Sequence, residues 1–166
     1  MSEKNEKKSG FTPERLAKLA AVAAIYVALT YALGFMSYGN IQFRVAEALM
    51  LLCFYRKDYG IALTVGCFIA NIFSPMMLMD MAFGTLATVL AVLLIFISPN
   101  LYVASLAPVL TNAVVVGIEL TVAFKTPFWL NAVEVGFGEL VCVSVVGVIV
   151  FKLLEKNPAA MKLITA

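Results

Sequence analysis

Residues 102–124, YVASLAPVLTNAVVVGIELTVAF, decide the fold, because this uninterrupted run contains a single charged side chain, Glu119. A helix rises about 1.5 Å per residue, so about 20 apolar residues are enough to cross the hydrocarbon core of a membrane. Residues 16–35 form a second run of that length near the start of the chain. These runs predict an integral membrane protein.

The whole composition supports this prediction. Of 166 residues, 63% are hydrophobic and 13% are charged, whereas a soluble domain has about 45–50% apolar and about 25% charged residues. The excess of apolar residues is too large for a soluble core. We therefore predict an all-α integral membrane protein of one compact domain, surrounded by the lipid bilayer and without a nucleic-acid partner.

The chain lacks residues that several kinds of chemistry require. It has no histidine, which removes Ser-His and Cys-His catalysis and most zinc sites. It has no GxxxxGK(S/T) loop, so it does not hydrolyse ATP in the P-loop manner. Cys53, Cys67 and Cys142 stand singly in apolar segments and are predicted to be small buried side chains. We expect no enzymatic activity, no metal and no cofactor.

The basic residues indicate the orientation. Most lysines and arginines share one side of the membrane if the chain begins in the cytoplasm; they are Lys4, Lys7, Lys8, Arg15, Lys18, Arg56, Lys57, Lys152, Lys156 and Lys162. Arg44 and Lys125 remain on or near the outer side. Because cytoplasmic segments of membrane proteins carry an excess of Lys and Arg, both termini are predicted to be cytoplasmic.

Proline, glycine and polar residues divide the chain into about six membrane helices. We predict a disordered cytoplasmic tail over residues 1–12, a six-helix transmembrane domain over residues 13–156 and a cytoplasmic C-terminal tail over residues 157–166. Thr12 is predicted to cap the first helix, with Pro13 in its first turn. The predicted helices cover about residues 13–35, 43–55, 60–73, 80–97, 101–124 and 128–154.

The ionisable residues inside the predicted membrane zone all fall between the outer surface and about the midplane. FRVAEAL, residues 43–49, places Arg44 and Glu47 one turn apart at the outer end of the second helix. With their polar neighbours they form the predicted site: Arg44, Glu47, Asn71, Asp80, Asn112, Glu119, Asn131, Glu134 and Glu139. Such residues are costly in hydrocarbon and usually face a cavity or one another. They could form internal ion pairs, as Arg44 and Glu47 could, or an outward-facing pocket. The acids outnumber the bases, which favours either protonated acids or a ligand with cationic or donor-rich edges.

The first helix has a row of small residues on one face: Ala17, Ala21, Ala24 and Ala28. Small residues at this spacing allow another membrane helix to approach closely. That helix could belong to a partner subunit or to the same bundle.

Several stretches resemble the QueT transporter family. They are FRVAEAL (43–49), GCFIANIFSP (66–75), DMAFGTLAT (80–88) and the glutamate-bearing last helix, and the resemblance extends over about residues 13–156. Members of this family are substrate-binding S components of energy-coupling factor (ECF) transporters. The resemblance implies an S-component fold of six helices with both termini in the cytoplasm, in the cell membrane of a bacterium of the Gram-positive type.

The resemblance also implies the ligand and the partners. The ligand would be a queuosine precursor of the 7-deazaguanine type, namely 7-aminomethyl-7-deazaguanine, queuine or queuosine. The partners would be a transmembrane coupling subunit, docked on Ala17, Ala21, Ala24 and Ala28, and two ECF ATPases. A carboxylate could accept the ring donors, and a second carboxylate could bind an aminomethyl cation. Tyr38, Phe43, Trp129 or Phe137 could stack on the ring or serve as interface anchors.

Three other functions compete with this interpretation. The chain could be an S component for a different vitamin. It could be a self-sufficient proton-coupled carrier, in which buried glutamates exchange protons. A membrane enzyme is disfavoured because no nucleophile is paired with a base.

Overall fold

The computed structural model describes residues 12–37 and 42–165. Within these residues the chain is helical and has no strand, which confirms the predicted fold class. The helices are α1 (Pro13–Ala32), α2 (Val45–Tyr55), α3 (Tyr59–Asn71), α4 (Met77–Phe96), α5 (Leu101–Phe124), α6 (Phe128–Glu155) and α7 (Pro158–Thr165). A single helical turn, Gly34–Ser37, follows α1. The predicted N-terminal tail covers residues 1–12, of which residues 1–11 lie outside the described residues.

Four of these helices are long and apolar enough to cross a membrane: α1, α4, α5 and α6. The helices α2 and α3 are apolar but shorter. The predicted number of six membrane crossings and the cytoplasmic position of both termini therefore remain predictions.

Consecutive helices from α1 to α6 run in alternating directions between two ends of the molecule. At the terminal end, where α1 begins, Arg15 pairs with Asp58 in the turn between α2 and α3. At the opposite end, Tyr31 near the end of α1 packs edge-on against Phe73 just beyond α3. The polar residues of α2 and α4 to α6 thus come together in the half of the bundle nearer the opposite end.

The helix ends follow local signals in the sequence. The Thr12 side chain accepts a hydrogen bond from the Arg15 amide at 3.3 Å, as predicted. The helix α5 begins at its cap Asn100 and ends at Lys125, which adopts a left-handed conformation with φ 56°. The predicted bounds of α5 are confirmed, whereas α1 ends at Ala32 rather than near residue 35.

Small residues set the distances between neighbouring helices. A Cβ added to Gly66 of α3 would lie 3.2 Å from the carbonyl oxygen of Ala23 in α1, and one added to Gly117 of α5 would lie 3.2 Å from Cα of Ala132 in α6. In a membrane, helices associate through such close packing because lipid provides no hydrophobic driving force between them. Cys53, Cys67 and Cys142 are buried, as predicted.

Two irregular segments face each other inside the bundle. The first part of α2, Val45–Leu51, is a 3₁₀-helix, and the middle of α6, Leu140–Gly147, is a π-helix. The two segments pack together, and a Cβ at Gly147 would lie 3.2 Å from Cδ1 of Leu51. Long 3₁₀ stretches and π turns are uncommon and often occur at functional sites. The sequence predicted regular helices here.

The C-terminal segment is a helix packed against the terminal end. The Tyr59 hydroxyl donates to the carbonyl of Ile164 at 3.0 Å, and the Arg56 guanidinium donates to the carbonyl of Thr165 at 2.9 Å. Burial raises the pKa of Asp58, but the hydrogen bond from Arg15, a backbone hydrogen bond and the charges of Arg56 and Arg15 together more than offset it, so the pKa of this carboxyl lies below its usual value. Polar contacts thus tie α7 to the α2–α3 turn.

Candidate functional site

A group of buried polar side chains lies where α1, α2, α5 and α6 meet; we call it the deep cluster, and it consists of Tyr26, Arg44, Glu47, Asn112 and Glu139. The Glu47 carboxylate accepts from Arg44 at 3.2 Å, from the Tyr26 hydroxyl at 3.4 Å and from the Asn112 amide at 2.7 Å. The ion pair between Arg44 and Glu47, which the sequence allowed as one alternative, is therefore present. Glu47 is fully buried and has donors on both carboxylate oxygens.

Arg44 connects the deep cluster to α3 and α4. Its guanidinium donates to Asn71 at 3.5 Å, and the Asn71 amide donates to the backbone carbonyl of Asp80 at 2.8 Å. The absent side chain of Gly84 leaves room for this contact, because a Cβ there would lie 2.6 Å from Nδ2 of Asn71 and 3.6 Å from Arg44. Arg44 is thus held by groups from its own helix and from α3.

The deep cluster retains acceptors that have no donor. The Asn112 amide donates to Glu139 at 3.1 Å as well as to Glu47. The second oxygen of Glu139 and the carbonyl oxygen of Asn112 have no hydrogen-bond partner, although both are buried. A buried polar atom without a partner costs about 1–3 kcal/mol. Two adjacent free acceptors therefore favour a ligand that brings N–H or O–H donors.

Apart from the deep cluster, Asp80 of α4 and Glu119 of α5 form an acidic pair. Asp80 accepts a hydrogen bond from the Ser74 hydroxyl and is 5% exposed. Glu119 is fully buried, neither of its oxygens has a hydrogen-bond donor, and the Asp80 carboxylate is its acidic neighbour. Two neighbouring carboxylates without a base of their own need a shared proton or a cation.

A cavity of about 220 Å³ opens at the opposite end of the bundle, between α4, α5 and α6. Its polar wall consists of Gln42, Ser74, Asp80, Thr126, Asn131 and Glu134, and its apolar wall consists of Pro75, Met76, Leu120, Phe124 and Leu130. Apolar walls with a few placed polar groups are typical of small-molecule sites. The deep cluster does not line this cavity but is connected to Asp80 through Asn71.

Asn131 has a local role in addition to its place in the wall. Its amide donates to the Thr121 hydroxyl at 2.9 Å, and its carbonyl oxygen accepts from Thr126 at 3.0 Å. These bonds join the two helices on either side of the α5–α6 turn. Glu134 is partly exposed and lines the cavity. All the predicted polar site residues therefore belong to the deep cluster, the acidic pair, the cavity wall or the Asn71 bridge.

The aromatic candidates do not form a single group. Tyr38 lies outside the described residues. Phe43 packs edge-on against Phe137 with ring centroids 6.5 Å apart. Trp129 is 77% exposed at the start of α6, which is typical of an interface anchor.

The alanine face of α1 points away from the bundle. Ala17, Ala21, Ala24 and Ala28 are all exposed. The opposite side of the helix carries Ala23 and Tyr26, which pack against Gly66 of α3. Packing inside the same chain therefore does not use the alanine face.

Sequence reasoning missed four polar side chains of this region: Tyr26, Gln42, Ser74 and Thr126. Tyr26 carried a signal, because a tyrosine in the middle of a membrane helix needs a partner for its hydroxyl. Gln42 and Ser74 lie in connecting segments, where no periodic pattern indicates which way a side chain faces.

Comparisons with known proteins agree with the predicted resemblance. A family model described as QueT transporter matches residues 16–156. A curated relative, the queuosine precursor transporter QueT of Lactococcus lactis subsp. cremoris, is 47% identical over 72 residues, which are 42% of this chain and 42% of the relative. No solved structure matches the chain significantly. Because the family model covers most of the chain, this multi-pass membrane protein belongs to the QueT transporter family.

Proposed function

We propose that the chain is the substrate-binding S component of an ECF-type transporter and imports a queuosine precursor of the 7-deazaguanine type. The named activity of the Lactococcus relative supports the choice of ligand. The observation that carries the proposal is the presence of two buried acceptors without donors in the deep cluster, on Asn112 and Glu139. A 7-deazaguanine presents ring and exocyclic N–H donors on one edge, and these complement such acceptors.

The ligand enters from outside the cell through the cavity at the opposite end. The basic residues at the terminal end support a cytoplasmic position for that end by the positive-inside rule. Asp80 and Glu134 line the entry. The deep cluster lies beyond the cavity wall and becomes the floor that reads the ring edge when the cavity opens toward it on binding. Glu139 and Asn112 are the direct acceptors there, whereas Glu47 and Arg44 hold each other in place.

Import then depends on partners. The exposed alanine face is the surface on which a helix of the transmembrane coupling subunit packs, and two ATPases supply the energy that this chain cannot obtain through a P-loop. The alanine face suits an interface that forms and separates repeatedly, because it offers contact area without polar groups that would bond to the partner.

Native mass spectrometry of the freshly purified protein in mild detergent tests the ligand. A tightly bound 7-deazaguanine should remain on the protein and be released by unfolding. Titration of 7-aminomethyl-7-deazaguanine into wild type, Glu139→Gln and Glu155→Gln tests the site. Glu139→Gln replaces one acceptor with a donor and should weaken binding about tenfold or more.

Glu155→Gln is the matched control, because Glu155 pairs with Lys152 and Tyr55 at the terminal end, far from the cavity. It should bind as wild type does. A wild-type protein that binds no 7-deazaguanine but carries another small molecule would contradict the proposed ligand, and an intact affinity in Glu139→Gln would contradict the proposed floor.

A further inference from the structure

Asp80 and Glu119 form an acidic pair that the ring-reading role of the deep cluster does not use. Glu119 is fully buried on α5, and neither of its carboxylate oxygens has a hydrogen-bond donor. Asp80 lies on α4 and lines the cavity, so the pair stands at the boundary between the cavity and the interior. An unpartnered buried carboxylate beside a second carboxylate is costly in a membrane protein.

Among the described residues, no basic side chain forms a salt bridge with Asp80 or Glu119. In the part of the chain that the structure describes, the buried basic side chain is Arg44, and its guanidinium is already engaged by Glu47 and Asn71. Lys125 at the end of α5 is exposed. The Ser74 hydroxyl satisfies one oxygen of Asp80 without neutralising its charge.

We propose that Asp80 and Glu119 are the subsite for a cationic amine of the ligand, and so determine specificity for aminomethyl-bearing 7-deazaguanines over neutral ones. The inference rests on the proposed function for the ring itself. In the empty protein a proton shared by the two carboxyls limits their repulsion, and an ammonium group takes its place when the ligand binds. An ammonium has three donors, which matches the free oxygens of Glu119 and a remaining oxygen of Asp80.

Glu134 provides an internal comparison. It lines the same cavity but is partly exposed, so water can solvate its charge. An ion pair in contact with water contributes little, whereas a charge-assisted hydrogen bond in a buried site contributes more. The preference for an amine should therefore depend on Glu119 and only weakly on Glu134.

The test compares two ligands that share the ring: 7-aminomethyl-7-deazaguanine, which is a cation, and 7-cyano-7-deazaguanine, which is neutral. Both are titrated into wild type, Glu119→Gln, Asp80→Asn and Glu134→Gln. Wild type should prefer the amine. Glu119→Gln should lose about tenfold or more in affinity for the amine and keep its affinity for the nitrile within about threefold.

The outcomes separate this inference from the proposed function. A wild type that binds neither ligand contradicts the proposed function. A wild type that binds both equally well, or a Glu119→Gln variant that weakens both ligands equally, overturns the amine subsite and leaves the proposed function standing. Loss of the amine preference in Glu134→Gln alone would assign the amine to Glu134 instead. Should both variants of the pair fail to fold, the wild-type ratio of the two affinities still decides, since the absence of a preference overturns the inference.

Discussion

Glu47 and Glu139 are both fully buried and both accept a hydrogen bond from Asn112, yet they have different surroundings. Glu47 compensates the charge of Arg44, whereas Glu139 retains a free oxygen. We expect Glu47→Gln to destabilise the protein by about 3–5 kcal/mol, because it leaves a buried arginine without its counter-charge. Glu139→Gln should cost about 1 kcal/mol or less, since the oxygen that it replaces has no donor.

Unfolding of the two variants in the same detergent, followed by circular dichroism, measures this difference. Glu155→Gln, at the surface of the terminal end, should unfold as wild type does. Equal destabilisation by Glu47→Gln and Glu139→Gln would show that the two glutamates share one structural role, and the division into a holding and a reading carboxylate would be wrong.

Gly138 of α6 lies against the backbone of Gln42, in the segment that precedes α2. A Cβ at this position would collide with the backbone carbonyl of Gln42, whose carbon would lie 2.8 Å away. Backbone atoms cannot move aside as a flexible side chain can, so Gly138→Ala should push residues 42–44 away from α6. We expect a loss of about 1–3 kcal/mol of stability, together with weaker ligand binding because Arg44 moves.

Gly136→Ala is the matched control, because both changes increase helix propensity equally. A Cβ at Gly136 would meet a single side-chain atom, Cβ of Ala113, at 3.3 Å. It should therefore be tolerated better than Gly138→Ala in the same unfolding experiment. The reverse order would contradict the close approach of the 42–44 segment to α6.

The sequence predicted the members of the site better than their roles. Polar residues are conspicuous in an apolar chain. Four of them could therefore be selected before any geometry was known: Glu47, Asn112, Glu119 and Glu139. Their pairing could not be read in this way. Whether a carboxylate has a donor depends on distances across helices, such as that from Asn112 in α5 to Glu139 in α6, and no spacing within one helix encodes these distances.

At the level of elements, the proposed function assigns binding and coupling to opposite sides of α1. Its inner side carries Tyr26, and its outer side carries the exposed alanine face. Ala21→Trp or Ala24→Leu should abolish assembly with the coupling subunit and hence uptake, because membrane helices associate through close packing. Ligand affinity of the isolated protein should remain within about twofold, since neither alanine contacts the deep cluster or the cavity wall.

A pull-down with the coupling subunit and a binding titration on the same variants measure both properties. Val114→Trp on α5 is the control, because Val114 is 50% exposed and belongs to another helix. It should leave both assembly and binding intact. Variants of the alanine face that assemble normally but no longer bind the ligand would show that this face supports the site rather than the interface.

The irregular helices show where pattern reasoning fails. The sequence pattern predicted the first and last residues of α5 correctly. Its apolar run is long, and its ends carry an asparagine cap and a left-handed residue. It did not predict the 3₁₀ part of α2 or the π part of α6. Both stretches consist of residues that regular helices also accept. The two stretches pack against each other, and periodicity within one helix does not encode such a tertiary contact.

At the scale of the whole molecule, buried charge is unbalanced. Among the described residues, the buried carboxylates belong to Glu47, Asp80, Glu119 and Glu139, and the buried basic side chain is Arg44. All of them lie in one half of the bundle, while the ion pairs of the terminal end are partly exposed to water. Such an imbalance could serve two purposes: binding a donor-rich cation, or carrying protons across the membrane.

Reconstitution separates these two purposes. The purified chain is inserted into vesicles alone, or together with its coupling subunit and two ATPases, and uptake of radiolabelled 7-aminomethyl-7-deazaguanine is measured. Alone, it should bind ligand up to its own molar amount and accumulate none, even under an imposed proton gradient, because in the proposed function the partners supply the energy for import. With the partners and ATP, the ligand should accumulate, and a non-hydrolysable ATP analogue should abolish this accumulation. Accumulation by the chain alone, driven by the proton gradient and lost in Glu119→Gln, would instead make the acidic pair a proton relay and the protein a self-sufficient carrier.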